Sequence, residues 1–226
     1  MAFVIFDLDR TITRFGTYTP FLGRYASRHQ PLRLLTLPAV LLGMAAYKAR
    51  LIRRGQLKSF MLYCLAGPVH KEDFLQHCRN FAQWMIENHC YAAALDCIRR
   101  HQQRGDTLLL ATASYDFYAD AFADLLGIDH VIATQAQWQN DKLQPSIKGE
   151  NCYGIEKYRR VLAYISQMSR TSSTHETQPQ DIFFYTDHHT DIPLLRDCHK
   201  AYVVNPTTKL KSWAQHHEHA EILIWT

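Results

Sequence analysis

The chain has 226 residues, 47% of them hydrophobic, which is enough for one ordinary core together with a small second unit. Its net charge of +4, from 25 basic and 21 acidic residues, excludes a strongly basic nucleic-acid-binding protein. The average conceals an asymmetry, because residues 10–71 hold 11 Lys or Arg and no acidic residue. We therefore expect this part of the protein to attract anions, and we expect no nucleic acid as a partner.

Cysteine usage and apolar stretches indicate where the protein works. None of the six cysteines forms a C-x-x-C pair, and the first ten residues are typical of a buried strand rather than a secretory signal. We therefore expect the reducing cytoplasm as the compartment. The longest charge-free apolar stretch, residues 34–47, has 14 residues. A spanning helix needs about 20, so this stretch is typical of a buried helix or an interfacial segment.

Short apolar runs and helical patterns alternate along most of the chain. The runs that predict strands are residues 2–6, 107–113, 131–133, 182–186 and 201–204. The helical patterns between them cover residues 91–103, 117–126 and 155–168. Strand, helix and strand in this order predict an α/β fold, a Rossmann-like parallel sheet flanked by helices.

Residues 15–89 break this alternation. They contain helical patterns at residues 32–54, 55–65 and 71–88 and no convincing strand. An all-helical insertion after the first strand predicts a cap over the carboxyl edge of the sheet, where open α/β sheets bind ligands. We therefore predict a core of residues 1–14 and 90–226 and a helical cap of residues 15–89. A polar stretch without periodicity at residues 167–181 predicts a surface loop.

Polar side chains follow each of the three strongest strands. Asp7 and Asp9 come two residues apart after the first strand, a spacing that lets both address one reacting group, although such a pair also occurs in ordinary turns. Thr112 and Ser114 stand at the end of the second strand, before a helix whose free N–H groups can hold an anion.

The third strand is followed by a second carboxylate pair, Asp187 and Asp191, and Lys157 lies on the helical pattern before it. Carboxylates, hydroxyl groups and a lysine form a consistent set for phosphoryl transfer with Mg²⁺ held by oxygen ligands. Lys148 competes with Lys157 as the lysine of this set.

Four ordered motifs are similar to those of one family. They are F-D-L-D-R-T at residues 6–11, T-A-S at 112–114, G-x-x-K-Y-x-x-x-L at 154–162 and T-D-H-H-T-D-I-P-L-L at 186–195. Together they resemble the haloacid dehalogenase (HAD) superfamily, in its phosphoserine-phosphatase-like branch, subfamily IB. The resemblance covers essentially the whole chain and implies the fold predicted above and a phosphomonoester phosphatase.

The resemblance also implies a role for each matching residue. Asp7 would attack phosphorus and form an aspartyl-phosphate, Asp9 would act as general acid and then base, and Lys157 would neutralise the phosphoryl group. Thr112 and Ser114 would bind the phosphate. Mg²⁺ is the implied cofactor, and the residues implied to form its binding site are Asp7, Asp9, Asp187 and Asp191.

Three positions depart from the family pattern. Arg10 stands where Gly is usual, His188 where a small residue is usual, and Thr190 where Asn is frequent. They keep open a second hypothesis, a catalytically weak regulatory or anionic-membrane-binding protein on the same fold. His188 and His189, and the histidines of residues 216–219, are alternative metal ligands, although Mg²⁺ prefers oxygen and zinc needs further ligands at defined spacing.

The insertion bears on the choice of substrate. Its apolar stretch at residues 34–47 is framed by basic residues, namely Arg28, Arg33, Lys48, Arg50, Arg53 and Arg54. Such a segment suits peripheral contact with an anionic membrane, and equally a buried cap helix with basic ends. R-H-Q-P-L-R-L-L-T-L-P and F-A-Q-W resemble the bacterial phosphatidylglycerophosphatase C group, which acts on a lipid phosphate. The expected substrate is therefore a small phosphorylated metabolite or a lipid phosphate; the acceptor of the phosphoryl group and the oligomeric state stay open.

Overall fold

The computed structural model describes residues 2–171 and 181–226. Its strands are β1 (Phe3–Phe6), β2 (Thr107–Tyr115), β3 (His130–Thr134), β4 (Ala136–Gln139), β5 (Lys142–Ile147), β6 (Ile182–Thr186), β7 (Lys200–Val204) and β8 (Ala220–Leu223). Six of them form a parallel sheet in the order β3-β2-β1-β6-β7-β8, while β4 and β5 form a separate antiparallel hairpin. The fold class predicted from the sequence is confirmed.

Helices cover both faces of this sheet. They are α1 (Tyr18–His29), α2 (Leu37–Lys48), α3 (Arg54–Leu65), α4 (Lys71–His89), α5 (Ala92–Gln103), α6 (Asp116–Leu126), α7 (Ile155–Thr171), α8 (Ile192–Arg196) and α9 (Thr208–Ala214). In β1, Val4 and Phe6 pack in one apolar cluster with α1 and α4 to α6, whereas Ile5 packs in a second with α7 to α9. A strand buried on both faces is continuously apolar, as residues 2–6 are.

The helical insertion, residues 15–89, contains α1 to α4. Its α1 and α4 pack against α6 through aromatic rings: the Phe21 ring lies 5.6 Å from that of Phe74, 5.2 Å from that of Phe81 and 4.9 Å from that of Tyr118. By contrast, α2 packs on α3, where Gly43 allows a close approach, since a Cβ there would lie 3.0 Å from the Phe60 ring. None of the described helices is long and apolar enough to cross a bilayer.

The insertion leaves and rejoins the core at one place. Thr13 and Cys90 form an isolated antiparallel bridge. On either side of it, the Arg14 N–H donates to the His89 carbonyl at 2.8 Å and the Tyr91 N–H donates to the Ile12 carbonyl at 2.9 Å. The two chain crossings therefore form a short two-stranded junction.

Several boundaries differ from the sequence prediction. The prediction of a single helix over residues 32–54 was wrong. A 3₁₀ helix, Pro31–Thr36, precedes α2. Residues 49–53 are not helical, and Arg50 lies in the left-handed region at φ 61°. Pro38 in the first turn of α2 favours a helix start there, because proline lacks only an N–H that has no helical partner at that position.

The predicted loop at residues 167–181 was wrong at its start, because α7 runs on to Thr171; residues 172–180 lie outside the described chain. The β4–β5 hairpin and β8 were not predicted. The hairpin had a signal, since Asn140 and Asp141 take the left-handed φ values of 49° and 56° that a tight hairpin turn requires. Residues 216–219 form a turn ahead of β8 rather than a helix.

Candidate active site

The polar residues at the carboxyl ends of β1, β2 and β6 meet at the carboxyl edge of the sheet, where the strand order reverses on either side of β1. Asp7 directly follows β1 and its N–H donates to the Tyr185 carbonyl of β6 at 2.9 Å. Its side chain is buried. Such a reversal point is where open α/β sheets bind ligands, so the fold places Asp7 at the centre of a candidate site.

Lys157 joins two of the candidate carboxylates. Its Nζ, carried by α7, donates to Asp7 Oδ1 at 3.0 Å and to Asp191 Oδ2 at 2.8 Å, and all three side chains are buried. Burial alone would lower the pKa of Lys157, but Asp191 and Asp7 raise it above its ordinary value. Lys157 is therefore a permanent cation in the site, whereas the competing Lys148 lies exposed after β5.

Asp9 is held by three donors. Its Oδ1 accepts from the N–H of Thr17 at 2.6 Å and from the Thr17 hydroxyl at 2.7 Å, and its Oδ2 accepts from the Ser114 hydroxyl at 3.0 Å. Thr17 was missed by the sequence analysis. It directly precedes α1, and a hydroxyl residue ahead of a helical pattern was the only signal for it.

Arg10 occupies a strained backbone position. It lies in the left-handed region at φ 62°, inside the tight turn Leu8–Ile12 that links β1 to the insertion. Gly adopts this conformation without steric cost, which explains why the family pattern has Gly there. Arg10 lines two cavities that open at the site and are described below. Arg in place of Gly therefore adds a cation to the site.

Thr112 and Ser114 take different positions at the end of β2. Ser114 lies in a cavity wall and donates to Asp9. Thr112 is fully buried behind it, outside either cavity wall, and its hydroxyl oxygen accepts from the Ser114 N–H at 3.1 Å. The structure therefore brings Ser114 to the surface of the site and Thr112 directly beneath it.

The closing acidic motif is organised around Asp191. Its Oδ2 accepts from Lys157 and, at 2.8 Å, from the Thr186 hydroxyl, while its Oδ1 is buried without a partner among the described residues. The His188 ring is engaged within the motif, because its Nδ1 lies 2.9 Å from the Thr190 hydroxyl and 3.3 Å from the Thr190 N–H. His188 and Thr190, the two residues of this motif that depart from the family pattern, thus contact each other.

The electrostatics of the site favour a bound cation. Burial raises the pKa of Asp7 to about 8 against the opposing effect of Lys157, and burial with the nearby Asp191 raises the pKa of Asp187 to about 7. A cation reverses such shifts, and carboxylate oxygens are the ligands that Mg²⁺ prefers. Asp191 Oδ1, which is buried without a hydrogen-bond donor among the described residues, also fits a site that can accept a cation.

No three Asp, Glu, His or Cys side chains within the described residues already converge as a ready-made metal site. His188, His189 and the histidines of residues 216–219 therefore belong to no such group within the described residues. It is compatible with Mg²⁺, which keeps several waters and binds through one or two carboxylates. Asp7, Asp9, Asp187 and Asp191 all line the same cavity, so their oxygens could hold such an ion.

Besides Thr17, Lys58 and Arg54 of the insertion reach the site, and sequence reasoning missed both roles. Lys58 of α3 donates to the Ala113 carbonyl at 2.7 Å and to Asn151 Oδ1 at 3.1 Å. Burial, and next the nearby Arg54, lower the pKa of Lys58 to about 7. The Arg54 guanidinium stacks 4.1 Å from the centroid of Tyr153. Their basic character was visible in the sequence, but their reach into the core was not.

Two adjoining cavities open between the insertion and the sheet. The smaller one, of about 240 Å³, is lined by Asp7, Asp9, Lys157, Asp187 and Asp191, among others. The larger one, of about 700 Å³, lies between α2, α3 and the end of β2. Asp9, Arg10, Gly16, Arg54 and Ala113 line both cavities. The arrangement thus joins a small, charged pocket to a larger one.

Comparisons with known proteins place this site in a family. A family model described as haloacid dehalogenase-like hydrolase matches residues 4–196. A histidinol-phosphatase of Neisseria meningitidis serogroup C (strain 8013) is 25% identical over 162 residues, covering 70% of this chain and 71% of that protein.

Two solved structures share the fold. A protein of unknown function from Bordetella pertussis Tohama I has a TM-score of 0.80 at 24% identity, covering 98% of this chain and 97% of that one. A probable phosphoserine phosphatase from Vibrio cholerae has a TM-score of 0.67 at 13% identity, covering 97% of this chain and 60% of that one. The family model covers most of the sequence, including every residue that lines the two cavities and the residues of the Lys157 ion pairs. The chain therefore belongs to the haloacid dehalogenase-like hydrolase family.

Proposed function

We propose that the protein is a Mg²⁺-dependent phosphomonoester phosphatase that acts through a phosphorylated Asp7. The observation that carries this proposal is the position of Lys157, which pairs with Asp7 and Asp191 at one wall of the 240 Å³ cavity. A buried carboxylate paired with a permanent cation can receive a phosphate dianion that it would otherwise repel. Asp9 and Asp187 line the same cavity.

In the first step, a carboxylate oxygen of Asp7 attacks phosphorus, and the bond from phosphorus to the ester oxygen breaks. The leaving alkoxide takes a proton from Asp9, which Thr17 and Ser114 orient. The products are the free alcohol and an aspartyl-phosphate on Asp7. In the second step, Asp9 takes a proton from water, which attacks phosphorus, so that inorganic phosphate leaves and Asp7 is regenerated.

The remaining residues supply charge and position. Mg²⁺, held by Asp7, Asp187 and the backbone carbonyl of Asp9, would offset the negative charge of the phosphoryl group. Asp191 would support this metal group through Lys157 and Thr186, whose bonds it accepts.

The phosphate itself would be bound at the end of β2. The hydroxyl groups of Thr112 and Ser114 would bind phosphoryl oxygens there. The Ser114 hydroxyl already lies in a cavity wall, and Thr112 lies just beneath it. This placement supports Ser114 as the nearer of the two groups.

We further propose that residues 15–89 act as a substrate cap, because α2 and α3 provide one side of the larger cavity. The substrates to be tested are small phosphorylated metabolites, including phosphoserine and histidinol phosphate, and lipid phosphates. The relative from Neisseria meningitidis, a histidinol-phosphatase, supports the first class. All six cysteines are unpaired and buried, which supports the reducing cytoplasm as the place of action.

Phosphate release from p-nitrophenyl phosphate, with and without Mg²⁺, tests the proposal. We expect activity that chelation abolishes and added Mg²⁺ restores. Asp7→Asn should lower kcat by at least about a thousandfold, because the nucleophile is lost. Asp73→Asn, at an exposed position of α4, is the matched control and should leave kcat unchanged. Acid-quenched wild-type enzyme should carry a hydroxylamine-sensitive phosphate that Asp7→Asn lacks.

The second hypothesis, a regulatory protein on this fold, makes the opposite prediction. Wild type and Asp7→Asn would then be equally inert toward p-nitrophenyl phosphate and toward the phosphorylated metabolites at every Mg²⁺ concentration. Transfer to an added alcohol, detected as a new phosphate ester in place of inorganic phosphate, would instead show a phosphotransferase that uses the same residues.

A further inference from the structure

One surface of the helical insertion is apolar where a surface helix is normally polar. Of the twelve residues of α2, Val40 alone is buried. Around it, Leu32, Leu35, Leu41, Leu42 and Leu51 are 64–80% exposed. We name these five leucines the apolar cap face. Five exposed leucines within the twenty residues 32–51 are typical of an interaction site, whereas single exposed leucines are not.

The charges around the apolar cap face identify its partner. Arg28, Lys48, Arg50 and Arg53 lie exposed close to these leucines in the sequence and form no ion pair with any described residue. Residues 10–71 contain no acidic side chain that could neutralise them. An apolar helix face bordered by unpaired cations matches an anionic bilayer, whose acyl region takes the leucines and whose headgroups meet the basic side chains.

A second copy of the chain fits this surface less well. Two such faces brought together would bury the leucines but would also bring the unpaired Arg and Lys of both copies close to each other. The surface has no carboxylate of its own to compensate them. Charge complementarity therefore favours an anionic lipid surface over self-association.

The same helix connects this face to the site. Met44, Ala45, Tyr47 and Lys48 of α2 line the 700 Å³ cavity, whose far end reaches Asp9 and Ser114. The lining is largely apolar, with Leu57 and Met61 on the α3 side, and Arg10, Arg54 and Lys58 add cations near the catalytic end. The cavity thus has largely apolar walls from α2 and α3, with cations from Arg10, Arg54 and Lys58 and one further cation, Lys48, on the α2 side.

We propose that the apolar cap face docks on an anionic lipid bilayer and that the 700 Å³ cavity takes the hydrophobic part of a lipid phosphomonoester while its phosphate reaches Asp7. The docking proposal rests only on the exposed leucines and the basic residues near them. The lipid substrate rests on the proposed phosphatase function. Docking places the cavity mouth at the depth of the headgroups, so that a lipid phosphate enters without leaving the membrane.

Co-sedimentation with phosphatidylglycerol-containing vesicles tests the docking, with pure phosphatidylcholine vesicles for comparison. We expect binding to the anionic vesicles that weakens as salt is raised. Leu41→Gln/Leu42→Gln and, separately, Arg50→Gln/Arg53→Gln should each weaken it by about tenfold or more. Ile224→Gln and Arg104→Gln, at exposed positions outside the insertion, are the matched controls and should bind as wild type.

Activity separates docking from substrate choice. On vesicles carrying phosphatidic acid or phosphatidylglycerophosphate, Leu41→Gln/Leu42→Gln should release phosphate about tenfold more slowly than wild type, while its turnover of p-nitrophenyl phosphate stays within about twofold. Asp7→Asn should bind vesicles as wild type does, because docking does not use the catalytic site.

Three results would overturn parts of the proposal. Absence of binding to anionic vesicles at low salt removes the docking, and a dimer that Leu41→Gln/Leu42→Gln dissociates would identify a second copy as the occupant instead. Binding and p-nitrophenyl phosphate turnover without hydrolysis of either lipid phosphate removes the lipid substrate and leaves the docking. Binding with no turnover of any phosphate ester contradicts the proposed phosphatase function and not the docking.

Discussion

Lys58 of α3 places its ammonium nitrogen 2.7 Å from the carbonyl oxygen of Ala113, at the end of β2. The same carbonyl accepts from the Thr134 hydroxyl at 2.8 Å, and Asn151 Oδ1 accepts from both Lys58 and Thr134. A single side chain of the insertion thus completes a hydrogen-bond network that belongs to the core.

Lys58→Met tests this connection. Methionine keeps the length of the stem but not the donors, so we expect the free energy of unfolding to fall by about 1–3 kcal/mol, measured by urea denaturation. Lys148→Met, at an exposed position, should change it by less than about 0.5 kcal/mol. Equal stability of Lys58→Met and wild type would show that the bonds to Ala113 and Asn151 do not hold the insertion on the core.

Ser114 and Thr112 should differ in kinetic effect. Ser114→Ala removes one of the three donors to Asp9, so we expect kcat to fall by about tenfold with a change in the pH profile of kcat, because Asp9 is less well positioned. Thr112→Val keeps the shape but not the hydroxyl. Because Thr112 lies outside both cavity walls, Thr112→Val should change KM and inhibition by inorganic phosphate by less than about threefold, whereas Ser114→Ala should also raise KM by about tenfold. A rise in KM for Thr112→Val and not for Ser114→Ala would assign phosphate binding to Thr112.

Arg10→Gly separates backbone strain from charge. The left-handed conformation of Arg10 costs about 1–2 kcal/mol, while glycine loses about 0.5–1 kcal/mol more chain entropy on folding. We therefore expect the stability to change by no more than about 1 kcal/mol, read as the melting temperature. KM should rise because the cavity loses a cation. An unchanged KM for every phosphate ester would show that the Arg10 side chain does not contact substrate.

His77 should make the insertion sensitive to acid. Burial, followed by the positive neighbours His29, Arg28 and Arg24, lowers the pKa of His77 to about 4. Between pH 6.5 and pH 4, the unfolded chain binds a proton there that the folded protein refuses. The free energy of unfolding therefore falls as pH is lowered through this range, by about 1–3 kcal/mol from this group.

The comparison with His77→Phe isolates that contribution, since phenylalanine keeps the ring packing and does not titrate. Urea denaturation at pH 7 and at pH 4.5 should give a smaller loss of stability for His77→Phe than for wild type. His70→Gln, at an exposed position before α4, should follow the wild-type pH dependence. An identical pH dependence for His77→Phe and wild type would contradict the lowered pKa.

The sequence was most informative where local pattern and chemistry coincide. The apolar runs of β1, β2 and β6 each end in polar residues, and parallel strands bring those ends together, so the amino-acid pattern alone groups Asp7, Ser114 and Asp187. The sequence also marked Arg10 as standing where Gly is usual, and the structure gives the reason, since Arg10 has a positive φ.

Features that depend on packing between distant segments could not be predicted. The bond from Lys58 to Asn151 joins residues 93 positions apart, and nothing in its neighbourhood distinguishes Lys58 from the other basic residues of the insertion. Likewise β8 has only four residues, none of them fully buried, so its apolar pattern is too short to separate from a loop. Its strand state arises from pairing with β7.

The bridge between Thr13 and Cys90 has an evolutionary consequence. Because the chain leaves the core and returns to it through adjacent residues, an insertion of another length or composition can start and finish there without displacing β1 or α5. Divergence of the insertion is nevertheless constrained at the residues that contact the site at the strand ends, such as Thr17 and Lys58, and less constrained along the exposed α2.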